Sequence, residues 1–235
     1  MKKLIAVTSM VLAAACAPSI NPQMQSATDS MLSVIKGSHS EQAPASFSPM
    51  EWEVGQWLVF KSTDVKNERP AVVKISVVGR EGQALWVETE SQDYFHHSIS
   101  KTLYAKMPRN KDEVADAVLK IVTKTDDKAP QVLDFSSKEP GAALMKSMMK
   151  STIQGISAPE VSLASTESVA VAAGSFQGCG KSTGKVTVGP MTVESTGWFH
   201  PAVPLSGMVK SESTDGTFKS ELLDYGIFGA KSALE

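Results

Sequence analysis

The sequence predicts an α+β domain built on an antiparallel sheet, and three observations carry the prediction. Short runs rich in Val, Ile, Trp and Thr recur from Trp57 to Tyr225, the composition of strands that pack a pleated, half-buried surface. The connections NERP and GREG between the first three runs are short enough that successive strands run antiparallel. One strong helical pattern, at 140–156, interrupts the strands, and strands grouped around a segregated helix define α+β.

The first element is an export signal, residues 1–15. Lys2 and Lys3 form a basic start, LIAVTSMVLAAA is an apolar stretch of signal-peptide length, and Ala13, Ala14 and Ala15 precede Cys16. The stretch is shorter than the roughly 20 apolar residues that span a bilayer. LAAAC resembles the lipobox of bacterial lipoproteins. That resemblance implies that Cys16 is lipidated (acyl chains such as palmitate) and begins the mature chain, and that Ala17 in place of aspartate sends it to the outer membrane, facing the periplasm or the cell surface. Ala13 and Ala15 also fit ordinary cleavage, which would leave Cys16 unmodified.

Residues 16–48 read as the lipidated N-terminus and a flexible tether, rich in Ser, Ala, Gln and Pro. Within them ATDSMLSVIK carries Met31, Leu32 and Ile35 at helical spacing, with Thr28 or Asp29 as cap. The single antiparallel-sheet domain is expected over 49–230, starting where Trp52, Trp57, Val59 and Phe60 follow in quick succession. WLVFKST, AVVKISVV and ALWVETES are its first strands; in the third, Leu85, Val87 and Thr89 alternate with Trp86, Glu88 and Glu90, the pattern of a sheet with one wetter face. SISKTLYAKM continues the meander. Asn110 with Glu113 caps a short helix, and the β-branched VLKIVTKT is a strand that ends at DDKAP.

In PGAALMKSMMKSTIQGI, Pro140 suits the first turn, while Met145, Met149, Ile153 and Ile156 share a face with Leu144 and Met148 beside it. Strands then resume at VSLASTESVAVAAGSF and continue through FQGCGKST, KVTV, MTVESTGWF, MVKSEST and FKSELLDY.

SFQGCGKSTGKV imitates a phosphate-binding loop, but that loop needs a glycine where Ser175 stands, and a helix after its Lys181–Ser182 pair. Gly184, Gly189 and Pro190, with Val186 and Val188 alternating against Lys185 and Thr187, predict instead two strands joined by a glycine turn. No nucleotide partner is expected, and little nucleotide triphosphate exists outside the cytoplasmic membrane. No nucleic-acid partner is expected either: losing Lys2 and Lys3 takes the formal charge from −2 to −4, and no basic block remains. Cys179, the only other cysteine, reads as a small buried hydrophobe.

VAVAAGSF, Cys179, STGWFHPAVPLSGMVKSES and ELLDYG resemble the C-terminal half of a group of uncharacterised bacterial lipoproteins. In these an "aGtF" turn, a tryptophan strand, a "VPLGGxVK" corner and an "ELxxYG" strand follow in order. The group is similar to the LolA/LolB-like superfamily. That resemblance implies a strongly curved antiparallel sheet, an incomplete β-barrel, with a helix packed on its concave side. It covers 50–226 in element order and specific residues in 168–226. Gly174 and Gly207 are its turn residues, Pro204 its corner, and Trp198 a core residue.

No nucleophile elbow, zinc-protease motif or paired-cysteine spacing occurs. His96 and His97 are adjacent and point to opposite faces of a strand, so that with Asp93 or His200 they do not make a metal site. Glu88 and Glu90 are read as solvated. The expectation is therefore a non-enzymatic envelope lipoprotein without cofactor or metal. It holds a lipid or another apolar small molecule in a half-barrel cavity beneath Leu144, Met145, Met148, Met149 and Ile153; the alternative is a scaffold or accessory subunit that binds an envelope protein.

Overall fold

The computed structural model describes residues 19–108, 111–135, 162–188 and 191–234. They form helices α1 (Pro22–Val34) and α2 (Lys111–Ala117). The strands are β1 (His39–Glu41), β2 (Trp57–Asp64), β3 (Arg69–Glu81), β4 (Ala84–Gln92), β5 (His97–Tyr104), β6 (Val118–Thr125) and β7 (Gln131–Asp134), then β8 (Ser162–Val171), β9 (Gly174–Val188), β10 (Met191–Phe199), β11 (Met208–Ser213) and β12 (Phe218–Gly226). All twelve belong to one sheet, in the order β1-β9-β10-β11-β12-β2-β3-β4-β5-β6-β7, with β8 on β9. Every pairing is antiparallel except β1 on β9. The predicted α+β class is therefore present as two meanders, β2–β7 and β8–β12, joined where β12 pairs with β2.

The sheet curls because its apolar residues share one interior. Leu58, Phe60, Val77, Val87, Tyr104 and Ile121 from one meander form a single buried cluster with Val169, Phe176, Val209 and Leu222 from the other. Irregular register at Val77/Gly79, Leu103/Tyr104, Trp198/Phe199 and Leu222/Asp224 marks bulges, which bend strands and increase twist. Trp52 braces the interior: its ring meets Tyr104 edge-on at 5.3 Å, and its indole N–H donates to the Leu205 carbonyl at 3.4 Å. Leu205 lies in the corner expected around Pro204, where Gly207 has φ +70° and His200 N–H donates to the Gly207 carbonyl at 2.7 Å.

Residues 19–48, read from composition as a flexible tether, carry α1 and β1. Asn21 caps α1, its side chain accepting from the N–H groups of Gln23 and Met24, and Pro22 supplies the preset first-turn φ. The expected cap Thr28 is instead buried, donating to the carbonyls of Met24 and Asp93. Met31, Leu32 and Ile35 pack with Trp57 onto Val59, Val72 and Leu223. Because Val59 alternates with the inward Leu58 and Phe60, this is the outer face of the sheet. β1 then crosses to β9, where Gly174, at φ +137°, lets the His39 backbone approach where any Cβ would collide.

Three further expectations change. The segment 175–188 is strand, as predicted, but β9 passes through Gly184 without a turn, because β10 pairs with it residue for residue from Gly180 to Val188. Trp198, expected in the core, packs against the core cluster but is only half-buried, lying between Lys181 and Lys210 with its indole N–H donating to Glu167 at 2.8 Å. Glu88, read as solvated, is only 3% exposed. Its carboxylate accepts from the Ser232 hydroxyl (2.6 Å) and from the N–H groups of Ala233 (2.7 Å) and Leu234 (3.3 Å), a chain end folded over the sheet. The helix predicted over 140–156 lies outside the described residues.

Candidate functional site

The inner face of the sheet divides into two chemically distinct areas. Cross-strand partners share a face, so the register extends the apolar cluster sideways along defined rows. One row runs Leu58–Ile75–Thr89–Ser100–Thr123, and the next runs Phe60–Val73–Ser91–Ser98–Thr125. Each row is apolar on β2 and β3 and hydroxyl-bearing on β4, β5 and β6. Six adjacent positions, Thr89, Ser91, Ser98, Ser100, Thr123 and Thr125, thus form a patch of short hydroxyl side chains, each half-buried. On the far side of β3, the next inward row beyond Phe60 runs Ser62–Ser220–Ser211, with Ser62 and Ser220 Oγ atoms 3.3 Å apart.

Tyr104 stands apart from this patch, across the row Val87–Thr102–Ile121, inward on β5 and opposite Leu85 and Val118. Its ring is packed by Trp52 and its hydroxyl is buried, yet that oxygen has no hydrogen-bond partner among the described residues. Burial raises the phenol's pKa well above its ordinary value, so the group stays a neutral donor. A buried hydroxyl left unpaired costs about 1–3 kcal/mol. The inner face therefore carries an apolar floor that includes this unused donor and, farther along the strands, a wall of small hydroxyls, the surface an amphiphilic molecule matches. Of the residues predicted to bind ligand, Leu144, Met145, Met148, Met149 and Ile153 all lie outside the described residues, as does Cys16.

A second polar cluster, absent from the sequence reading, sits where β1 meets the end of β12. His39 Nε2 lies 2.8 Å from Asp224 Oδ1, the His39 ring stacks on Tyr225 at 4.0 Å, and the Tyr225 hydroxyl donates to Glu41 at 2.7 Å. Burial first, then the Glu41 carboxylate, raises the Tyr225 pKa. These bonds tie β1 to β12. No sequence spacing signals them, because 185 positions separate His39 from Asp224.

The remaining histidines are separated by the fold. His96 faces Asp126 at 3.2 Å and His97 faces Glu90 at 2.8 Å, while Asp93 accepts the N–H groups of Phe95 and His96 and closes the turn. Asp126 is held below the usual carboxylate range, chiefly by the His97 N–H and then by His96. His200 is buried against Phe176; the Ala202 N–H donates to its Nδ1, and its Nε2 meets the Gln42 carbonyl at 3.0 Å, so both ring nitrogens are engaged. Among the described residues no three His, Cys, Asp or Glu side chains gather as metal ligands. Cys179 is buried and its Sγ meets the Phe176 carbonyl; burial, then the Glu167 charge, pushes its thiol up to about 11.

No protein-family model and no curated protein matches the chain. Two solved structures are similar to it. A candidate lipoprotein of Parabacteroides distasonis ATCC 8503 is 13% identical with a TM-score of 0.31, over 75% of this chain and 97% of that one. A candidate exported protein of Bacteroides fragilis NCTC 9343, described as having a YmcC-like fold, is 12% identical with a TM-score of 0.32, over 77% and 98%.

Proposed function

We propose that the protein is an envelope lipoprotein, anchored through Cys16, that binds an amphiphilic lipid or a similar apolar small molecule on the inner face of its half-barrel. The observation that carries the reading is an inner face that is apolar around Leu85 and Val87 and hydroxyl-bearing from the Thr89 row onward, with the buried Tyr104 hydroxyl unpaired among the described residues inside the apolar part. Ligand chains pack on the cluster around Leu85 and Val87, where the Tyr104 hydroxyl can donate to a polar group along them; the polar end takes the serines and threonines of the hydroxyl patch. The role is binding, with no catalytic step. The resemblance to LolA/LolB-like proteins, made on the sequence, is in keeping with it.

The test is Tyr104→Phe. Removing an unsatisfied hydroxyl should leave the unliganded domain equally stable or firmer by about 1 kcal/mol, while weakening a fluorescent fatty-acid probe. Native mass spectrometry of the purified protein should show co-purified lipid. A variant that binds the probe as wild type does, with no lipid in either preparation, would overturn the reading.

A second reading, docking of an envelope protein partner, draws on the end of the sheet away from the hydroxyl patch. There Val54, Ile227 and Phe228 are exposed, Phe228 by 78%, and the Trp57 indole donates to the Phe228 carbonyl, holding that segment in place. Phe228→Ser should abolish partner capture and leave probe binding intact.

A further inference from the structure

The start of α1 is fixed at one end of the sheet. Asn21 N–H donates to the Tyr94 carbonyl at 3.0 Å, the Thr28 hydroxyl donates to the Asp93 carbonyl at 3.1 Å, and the Tyr94 hydroxyl donates to Asp29 at 2.8 Å. Asp93 and Tyr94 form the β4–β5 turn. The β2–β3, β6–β7 and β11–β12 turns leave the sheet at the same end, since each follows or precedes strands in the same antiparallel register. Cys16 precedes Asn21 by five residues, a reach of at most about 18 Å even when fully extended.

We infer that this rim of hairpins is a membrane-facing surface, held against the bilayer that carries the anchor. The inference rests on the lipidation of Cys16 proposed above. A composition-based spacer of more than thirty residues would let the domain tumble freely; the observed docking of α1 and β1 reduces it to a leash of five. The opposite end of the sheet lies about 26 Å away, the length of the eight residues of β2. Turning that end to the membrane would lift Asn21 farther from the surface than the leash reaches.

The rim's chemistry suits a headgroup layer. Ile20, Val65 and Phe218 are exposed there, and Val65 N–H bonds the Thr217 carbonyl at 2.9 Å so that two of the turns move together. Arg69 lies over the Phe95 ring at 4.9 Å, a pair with an apolar body and a charged tip. Lys66 and Arg69 are offset by Asp64 and Glu68 in the same hairpin. The acyl anchor therefore supplies the affinity, and the rim supplies the orientation.

The test uses the full chain, purified with its anchor and reconstituted into phosphatidylethanolamine–phosphatidylglycerol vesicles that contain a nitroxide-headgroup lipid. A fluorophore is placed on Lys66→Cys at the rim or on Glu53→Cys at the far end; both positions are exposed, whereas Cys179 is buried. The Lys66→Cys label should lose most of its fluorescence and the Glu53→Cys label should keep it. Equal quenching of both, or of neither, on a chain whose mass shows the lipid adduct would overturn the orientation alone. A chain that carries no adduct, and binds vesicles no better than Cys16→Ser, would overturn the anchor and the orientation with it.

Discussion

Replacing Glu88 by alanine should release the chain end from the sheet. In the folded protein one carboxylate receives three donors, two at 2.6 and 2.7 Å and one at 3.3 Å. A hydrogen bond to a charged acceptor contributes about 1.5–3 kcal/mol, so the two short bonds alone suggest about 3–6 kcal/mol. That sum is an upper limit. Residues 232–234 can detach as a unit and return their donors to water, so the loss cannot exceed the free energy of docking them, which the buried Leu234 side chain raises by about 1.5–3 kcal/mol. The bonds from Lys101 Nζ to the Ser232 hydroxyl and the Leu234 carbonyl go at the same time. We expect Glu88→Ala to cost about 2–4 kcal/mol in urea denaturation of the Cys16→Ser chain. A chain ending at Ala230 should lose a similar amount and keep the Ala230–Gly55 bond. The decisive measurement is the double variant: once the segment is gone Glu88 faces water, so its replacement should then change little. Additive losses would show that Glu88 acts through something other than this segment, and the reasoning would fail.

Two further outcomes follow from the same geometry. Asn21→Ala removes the cap of α1 and should cost about 1 kcal/mol, with faster hydrogen exchange at Gln23 and Met24; unchanged exchange at those two amides would show that the cap is not what holds the helix start. Cys179, with its thiol raised to about 11, should resist maleimide at pH 8 in the folded protein and react fully in urea. The sign for stability is that of a raised acid: its contribution is complete below the unfolded pKa, near 8.5, and is lost as pH rises towards about 11. Cys179→Ala should therefore flatten the alkaline limb of a denaturation series; an unaltered limb would assign that loss to other groups.

Local chemistry made much of the sheet legible. The alternation of Leu85, Val87 and Thr89 with Trp86, Glu88 and Glu90 names the inner and outer faces of β4 correctly, because strand side chains alternate whatever the tertiary context. The asparagine–proline pair at 21–22 is a readable helix start, yet polar residues fill the next two turns, so the periodicity becomes evident only at Met31. β1 is three residues, His-Ser-Glu, with no strand propensity; it exists because β9 offers an edge at Gly174. Glu88 resembles any strand carboxylate until residues 144 to 146 positions away arrive to cover it. The hydroxyl patch was present in the sequence as scattered Ser and Thr, and only the register gathers it. The ligand-binding helix expected at 140–156 lies outside the described residues; its periodicity identifies an apolar face without saying what it covers.

The parallel contact of β1 with β9 also sets an order of assembly. Both meanders are chains of local hairpins and can form early, because closing a short loop costs little entropy. β1 must wait, since its edge at Gly174 comes 135 positions after His39 and lies in the second meander. The segment nearest Cys16 is therefore expected to be the last to dock, and pulse-labelled exchange should find β2–β6 protected before α1. On the proposed lipidation of Cys16, the nascent domain then has more than thirty residues of slack from the membrane during biogenesis, and the final folding step draws that slack in.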